Sequence, residues 1–264
     1  MIVAAAVAGA VLGMFEIANT SIGWHLASGD WILANKQFIQ TDPFSFTSGG
    51  APWIDHEWLF QVGVAIVHSL GGPAGLVVLR ALIVAALAAL LLVVGWRCGL
   101  SPAAALVLSV ACIAGARGRF FMRPELVTLL IVPAVVWLFL SRDTRNSPLR
   151  LAAVAGLMVL GANAHGGVLA VPPVVAGILA AEICQVAVTR RWQKQTLASG
   201  FAGLGVAIAA LLVNPYGWKL LTVPLHLGRL VNLDHIPNPE WSSPTPAQAP
   251  MLYIALVAAV IVLA

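Results

Sequence analysis

Charge is scarce in this sequence, and that scarcity decides its class. Only 9% of the 264 residues are Asp, Glu, Lys or Arg, while 60% are hydrophobic. Soluble domains carry about 25% charged residues to cover their surface, so soluble enzymes and binding modules are excluded. Cysteine is also scarce: Cys98, Cys112 and Cys184 show no C-x-x-C spacing and no pairing pattern. They read as small apolar residues, which excludes a disulfide scaffold and a thiolate metal centre. Period-two alternation is missing, which excludes a barrel of membrane strands. No charged segment precedes the first apolar run, Ile2–Phe15, so it reads as a short first span rather than a secretory signal. The basic excess, 14 Lys and Arg against 10 Asp and Glu, is scattered among loops. That distribution is an orientation signal and excludes a nucleic-acid partner.

What remains is a series of apolar runs rich in Ala, Leu and Val, at about 2–18, 59–70, 74–96, 101–116, 126–141, 149–164, 168–189, 197–213 and 251–264. The expected fold is all-α and polytopic, an integral membrane protein with the lipid bilayer as its first partner. The last run has only 14 residues, short of the ~20 a span needs. The chain is therefore expected to be one membrane domain over 1–264, incomplete at its C-terminus. If every run crossed the bilayer, the basic links 142–150 and 190–194 would share a side with the acidic loop 19–57. That opposes the positive-inside tendency. The short run 59–70 carries Gln61 and His68 and ends at Gly71-Gly72-Pro73. Laid flat at the interface, it removes one crossing and reverses every later loop. Arg97, Arg142, Arg145, Arg150, Arg190, Arg191 and Lys194 then become cytoplasmic, and loop 19–73 becomes extracytoplasmic with all six histidines on its side.

The stretch 21–38 reads as a second juxtamembrane helix, with Trp24 and Trp31 at headgroup level. Between the two lies "TDPFSFTSGGAPWIDHE", punctuated by Pro43, Gly49-Gly50 and Pro52.

The order of several short motifs carries a resemblance. They are G-W-H-L-x-x-G-x-W-I-L (23–33), D-P-F-S-F-T (42–47), P-W-x-x-H-E-W-L (52–59), R-P-E-L (123–126), N-A-H-G-G (163–167), N-P-Y-G-W (214–218) and P-E-W-S-S-P (239–244). Over most of its length the chain resembles the GT-C superfamily of membrane glycosyltransferases. Within it, the likeness is to a bacterial group related to the aminoarabinose and protein mannose transferases. The resemblance implies a helical bundle with two juxtamembrane helices in its first extracytoplasmic loop, in the bacterial cytoplasmic (inner) membrane. It also implies transfer of a sugar from a polyprenyl-phosphate donor to an acceptor glycan, lipid or protein. One departure stands out. Where such enzymes commonly place an early catalytic Asp, this chain reads Asn19-Thr20-Ser21.

That chemistry needs a carboxylate to take the acceptor proton or hold a metal, and cations to stabilise the departing phosphate. Asp42, Asp55 and Glu57 are the candidate catalytic carboxylates. Asp55, His56 and Glu57 form a cluster suited to a divalent cation, Mg or Mn. The plainer alternatives are a helix cap for Asp55 and a turn at the Asp42-Pro43 step. Arg80, Arg117 and Arg123 lie where orientation signals do not put them, which makes them candidates for phosphate. Snorkelling to headgroups is the alternative for Arg117 and Arg119. His165 and His25 are candidate cavity residues, and Trp218 and Trp241 candidate sugar-stacking groups against an aromatic-belt alternative. Two rival functions are a transporter or flippase of lipid-linked substrates and an inactive GT-C-like scaffold. Near-absence of mid-membrane charge opposes the first, and the missing early Asp favours the second.

Overall fold

A computed structural model describes residues 1–140, 147–189, 194–225, 228, 229 and 245. Arg142, Arg145, Arg190, Arg191, Trp241, the motif 239–244 and the last apolar run lie outside the described residues, as do the side chains of 194–196. The described chain is helical, and the only strand-like pairing among its residues is the isolated bridge Thr41–Pro52.

Among the described residues eight α-helices follow one another: α1 (Ile2–Gly13), α2 (Ser21–Asn35), α3 (Trp58–Arg97), α4 (Pro102–Gly115), α5 (Glu125–Leu140), α6 (Pro148–Ala164), α7 (Val171–Thr189) and α8 (Lys194–Ala210). They follow the apolar runs closely. The starts of α4 and α6 are written in Ser-Pro pairs. Ser101 Oγ accepts from the Ala104 amide and Ser147 Oγ from Leu149, with proline in the first turn of each helix. Two helical stretches, Trp58–Arg97 and Gly166–Thr189, are long and apolar enough to cross a membrane. The other apolar helices have 10–17 residues.

Unbroken, α3 would be ~60 Å long, twice the hydrocarbon thickness of a bilayer. It breaks at Gly72 (φ 59, ψ −154), a conformation open to glycine, with Pro73 following. A Cβ placed on Gly75 would stand 3.0 Å from the Val67 carbonyl, so the two arms fold toward each other across the break. The interruption expected at Gly71-Gly72-Pro73 is therefore present.

Helix α1 packs along the second arm through glycine. A Cβ on Gly9 would fall 2.7 Å from the Val84 carbonyl, and one on Gly13 3.0 Å from Val84 Cβ. Small residues one turn apart let two backbones approach this closely. The end of α1 thus lies level with Ala81 and Val84, near the start of the second arm. Segment 14–72 consequently leaves and returns at the same end of the bundle.

The first arm covers that end. Phe60 and Val64 share a buried cluster with Leu76, Val84, Leu126 and Ala164, and beneath them is an apolar cavity of ≈ 440 Å³ walled by α3, α5 and α6. A second cluster joins α5, α6, α7 and α8 around Val135, Val154, Met158, Val175 and Ala207.

Candidate functional site

Helix α2 lies on the first arm of α3. His25, Ser28, Gly29 and Ile32 form its buried face at i, i+3, i+4 and i+7. Gly29 is the contact point: a Cβ there would stand 2.2 Å from the Gln61 carbonyl. This close approach brings His25 against the acidic segment.

Residues 40–53 form a tight loop held by Asp42 N–H to the Ala51 carbonyl (2.8 Å) and Trp53 N–H to the Gln40 carbonyl (2.8 Å). Trp53 stacks on Trp24 of α2 at 5.0 Å, with Phe44 alongside both. The loop is thereby pinned to α2, and the chain enters α3 through Asp55-His56-Glu57.

The three candidate carboxylates have three different environments. Asp42 accepts the amides of Phe44 (2.8 Å) and Ser45 (2.9 Å); the Ser45 side chain first, and then these amides, hold its carboxyl below the usual range. It makes a turn at the rim, as the Asp-Pro alternative expected. Asp55 is buried, and its Oδ1 accepts the Gln61 side-chain amide at 2.8 Å. Burial pushes its carboxyl up to about 6 against that hydrogen bond and the Glu57 amide. It is not the side-chain cap of α3, whose N-cap residue is Glu57 without any side-chain cap bond. Among the described residues, Asp55 Oδ2 and Gln61 Oε1 are buried with no hydrogen-bond partner. Glu57 lies 3.8 Å from His25 Nδ1 and 3.6 Å from His56 Nε2. Burial first, then the charges of Asp55 and Glu125, push its carboxyl up to about 7.

The histidines answer in the opposite direction. Burial and then the Arg123 guanidinium lower His25 to about 4, and burial lowers His56. His165, from N-A-H-G-G, is lowered to about 4 by burial and by the neighbouring His56 and His25. With the imidazoles neutral, the Glu57–His25 approach at 3.8 Å is neither an ion pair nor a hydrogen bond, but it sets the two groups side by side.

Other motifs converge here. R-P-E-L supplies Arg123, which acts on His25, and Glu125, which acts on Glu57. N-P-Y-G-W supplies Tyr216, whose hydroxyl donates to the Ile39 carbonyl at 2.6 Å, and whose titration is raised by burial and by Asp55. Asn163 accepts the Trp58 indole N–H (2.8 Å) and donates to the Val159 and Val213 carbonyls. Beside this last joint runs a groove of ≈ 650 Å³ between Trp58, Leu160, Asn163 and Leu212. It passes alongside the titratable cluster rather than through it.

Three predicted groups stand elsewhere. Arg80 is fully buried: its Nε donates to the Gly13 carbonyl (2.8 Å), its Nη2 to Phe15, and its guanidinium lies 3.6 Å over the Phe15 ring. It binds the carbonyls at the end of α1, away from the carboxylate cluster, and among the described residues its Nη1 has no hydrogen-bond partner. Arg117 is exposed, 5.2 Å over the same ring. Trp218 is 65% exposed, and the position two residues before it, Tyr216, faces the site instead. Sequence reading passed over Gln61, Glu125 and Tyr216 as site residues. Gln61, a lone amide in an apolar run, was the available signal for one of them.

Among the described residues no three His, Cys, Asp or Glu side chains are disposed to hold a metal. Gln61 occupies Asp55 Oδ1 and leaves Oδ2 open, so a divalent cation at Asp55-His56-Glu57 stays an expectation of the sequence, and no step is assigned to Mg or Mn. Compared with known proteins, the chain matches no family model, no curated protein and no solved structure.

Proposed function

We propose that the chain is a polytopic GT-C-like glycosyltransferase of the bacterial cytoplasmic membrane, its site on the extracytoplasmic side. It would move a sugar from a polyprenyl-phosphate donor to a hydroxyl or amine acceptor. One observation carries this reading: the half-buried Glu57 carboxylate, 3.8 Å from His25 and 3.6 Å from His56 and pushed up to about 7, lies where four segments meet that are distant in sequence. Those segments are the ones whose motifs gave the resemblance. In this reading Glu57 takes the acceptor proton as general base, since a base works best with its pKa near the operating pH. Arg123, half-buried at the cluster, stabilises the departing phosphate. Asp55 and Gln61 position the start of α3. The apolar cavity under the first arm offers room for hydrocarbon beside the polar cluster.

An inactive scaffold is the second reading, and Asn19 favours it. At the place of the family's early Asp, this side chain is buried and donates to the Met122 carbonyl (3.2 Å) and to Ser21 Oγ (3.1 Å). The deciding experiment offers labelled sugars on polyprenyl phosphates to the protein in proteoliposomes. Transfer with one donor that is lost in Arg123→Ala supports the enzyme. No transfer with any donor supports the scaffold.

A further inference from the structure

His165 stands at the end of α6 in extended backbone, and its ring turns onto the following turn. Nδ1 accepts the Gly167 amide at 3.2 Å and lies 2.8 Å from the Thr128 hydroxyl of α5. A backbone N–H only donates, so Nδ1 holds a lone pair there, and the hydroxyl joins as a second donor. The proton of the neutral ring therefore sits on Nε2. The second glycine of N-A-H-G-G permits the geometry, because a Cβ on Gly167 would fall 2.6 Å from His165 Nδ1. Among the described residues nothing accepts from Nε2, and the ring is partly exposed. The titratable groups around it are His56 and His25, with Glu57 against both. His56 lies on the adjacent backbone, 3.1 Å from where a Cβ of Gly166 would stand.

We infer that Thr128 and the Gly167 amide hold His165 in the Nε2–H form, so that it donates a hydrogen bond to a phosphate oxygen of a ligand bound beside Glu57. Thr128 is then a positioning residue and His165 the ligand contact. The ligand class rests on the proposed function; the tautomer does not. Both donors on Nδ1 oppose protonation of the ring, so removing one raises its titration midpoint by about one pH unit, the worth of one hydrogen bond.

The test is nitrogen-15 histidine NMR of the full chain in lipid bilayers, with His165→Gln to assign the signal. Wild type should show His165 protonated on Nε2 at neutral pH. Thr128→Val should keep the Nε2–H form, since the Gly167 amide still donates to Nδ1, but raise the midpoint, while Thr128→Ser should behave as wild type. Decyl phosphate should shift the Nε2 signal in wild type and in Thr128→Ser. An Nδ1–H ring in wild type overturns the tautomer assignment, and a valine variant with the wild-type midpoint overturns the positioning role of Thr128. A locked tautomer with no response to decyl phosphate overturns the ligand contact. Should the valine variant misfold, the wild-type and serine measurements still decide. None of these readouts requires sugar transfer, so its absence is a separate result.

Discussion

The Glu57 carboxylate lies 3.8 Å from His25 Nδ1, joining the acidic loop to a helix that precedes it. Neither group is charged in the ordinary way: the acid is raised to about 7 and the imidazole lowered to about 4. Replacing Glu57 with Gln keeps the shape and removes the proton acceptor. Turnover should fall by about 10²–10⁴-fold, the usual worth of a general base, with little change in KM. Steady-state kinetics of the variant check this.

The same shifts fix how stability responds to pH. Glu57, raised from 4.5 to about 7, contributes stability that is present below pH 4.5 and lost as pH rises through 7. His25 and His165, lowered from 6.5 to about 4, contribute stability present above 6.5 and lost as pH falls through 4. The two effects oppose each other across one window. Glu57→Gln removes the falling part, so its Tm minus that of wild type should increase between about pH 4.5 and 7. Thermal unfolding in detergent at several pH values measures the difference.

Much of this arrangement was legible in the sequence. Apolar runs located the helices, and Gly71-Gly72-Pro73 located the break in α3, because glycine and proline act locally. Asp42 was legible for the same reason: the Asp-Pro step carries its own turn. Arg80 was not. Its charge is visible, but its acceptors are the carbonyls at the end of α1, and nothing local announces them. Tyr216 and Trp218 are two residues apart in an irregular turn, so no periodicity tells which faces inward. Glu125 acts on Glu57 only through the packing of α5, which a single sequence does not show.

Arg80 and Arg123 should therefore separate in experiment. Arg80→Ala strips the end of α1 of its donor and empties a fully buried volume. It should lower the unfolding free energy by about 3–5 kcal/mol, the range of buried large-to-small changes, and Tm with it. Arg123→Ala should leave Tm nearly unchanged and lower kcat/KM for the donor at least about tenfold, as loss of a charged hydrogen bond of roughly 1.5–3 kcal/mol implies. Paired thermal and kinetic measurements distinguish them.

Gly29 tests how the site is assembled. An added Cβ would meet the Gln61 backbone at 2.2 Å, and a backbone carbonyl cannot move aside as a side chain can. Gly29→Ala should push α2 off the first arm at a cost of about 1–3 kcal/mol. It should also separate His25 from Glu57. Gly23→Ala, where a Cβ meets nothing within 4 Å, is the control and should be neutral. Cross-linking between cysteines at 28 and 61 reports the distance directly.

The most direct test of the central claim is the pH dependence of labelled-sugar transfer by the reconstituted protein, with wild type and Glu57→Gln side by side. The account predicts a wild-type rate that climbs through a midpoint near 7, as Glu57 loses its proton, and a variant rate that is low and flat over that range. A Glu57→Gln protein that transfers sugar at the wild-type rate, along the same pH curve, would contradict it.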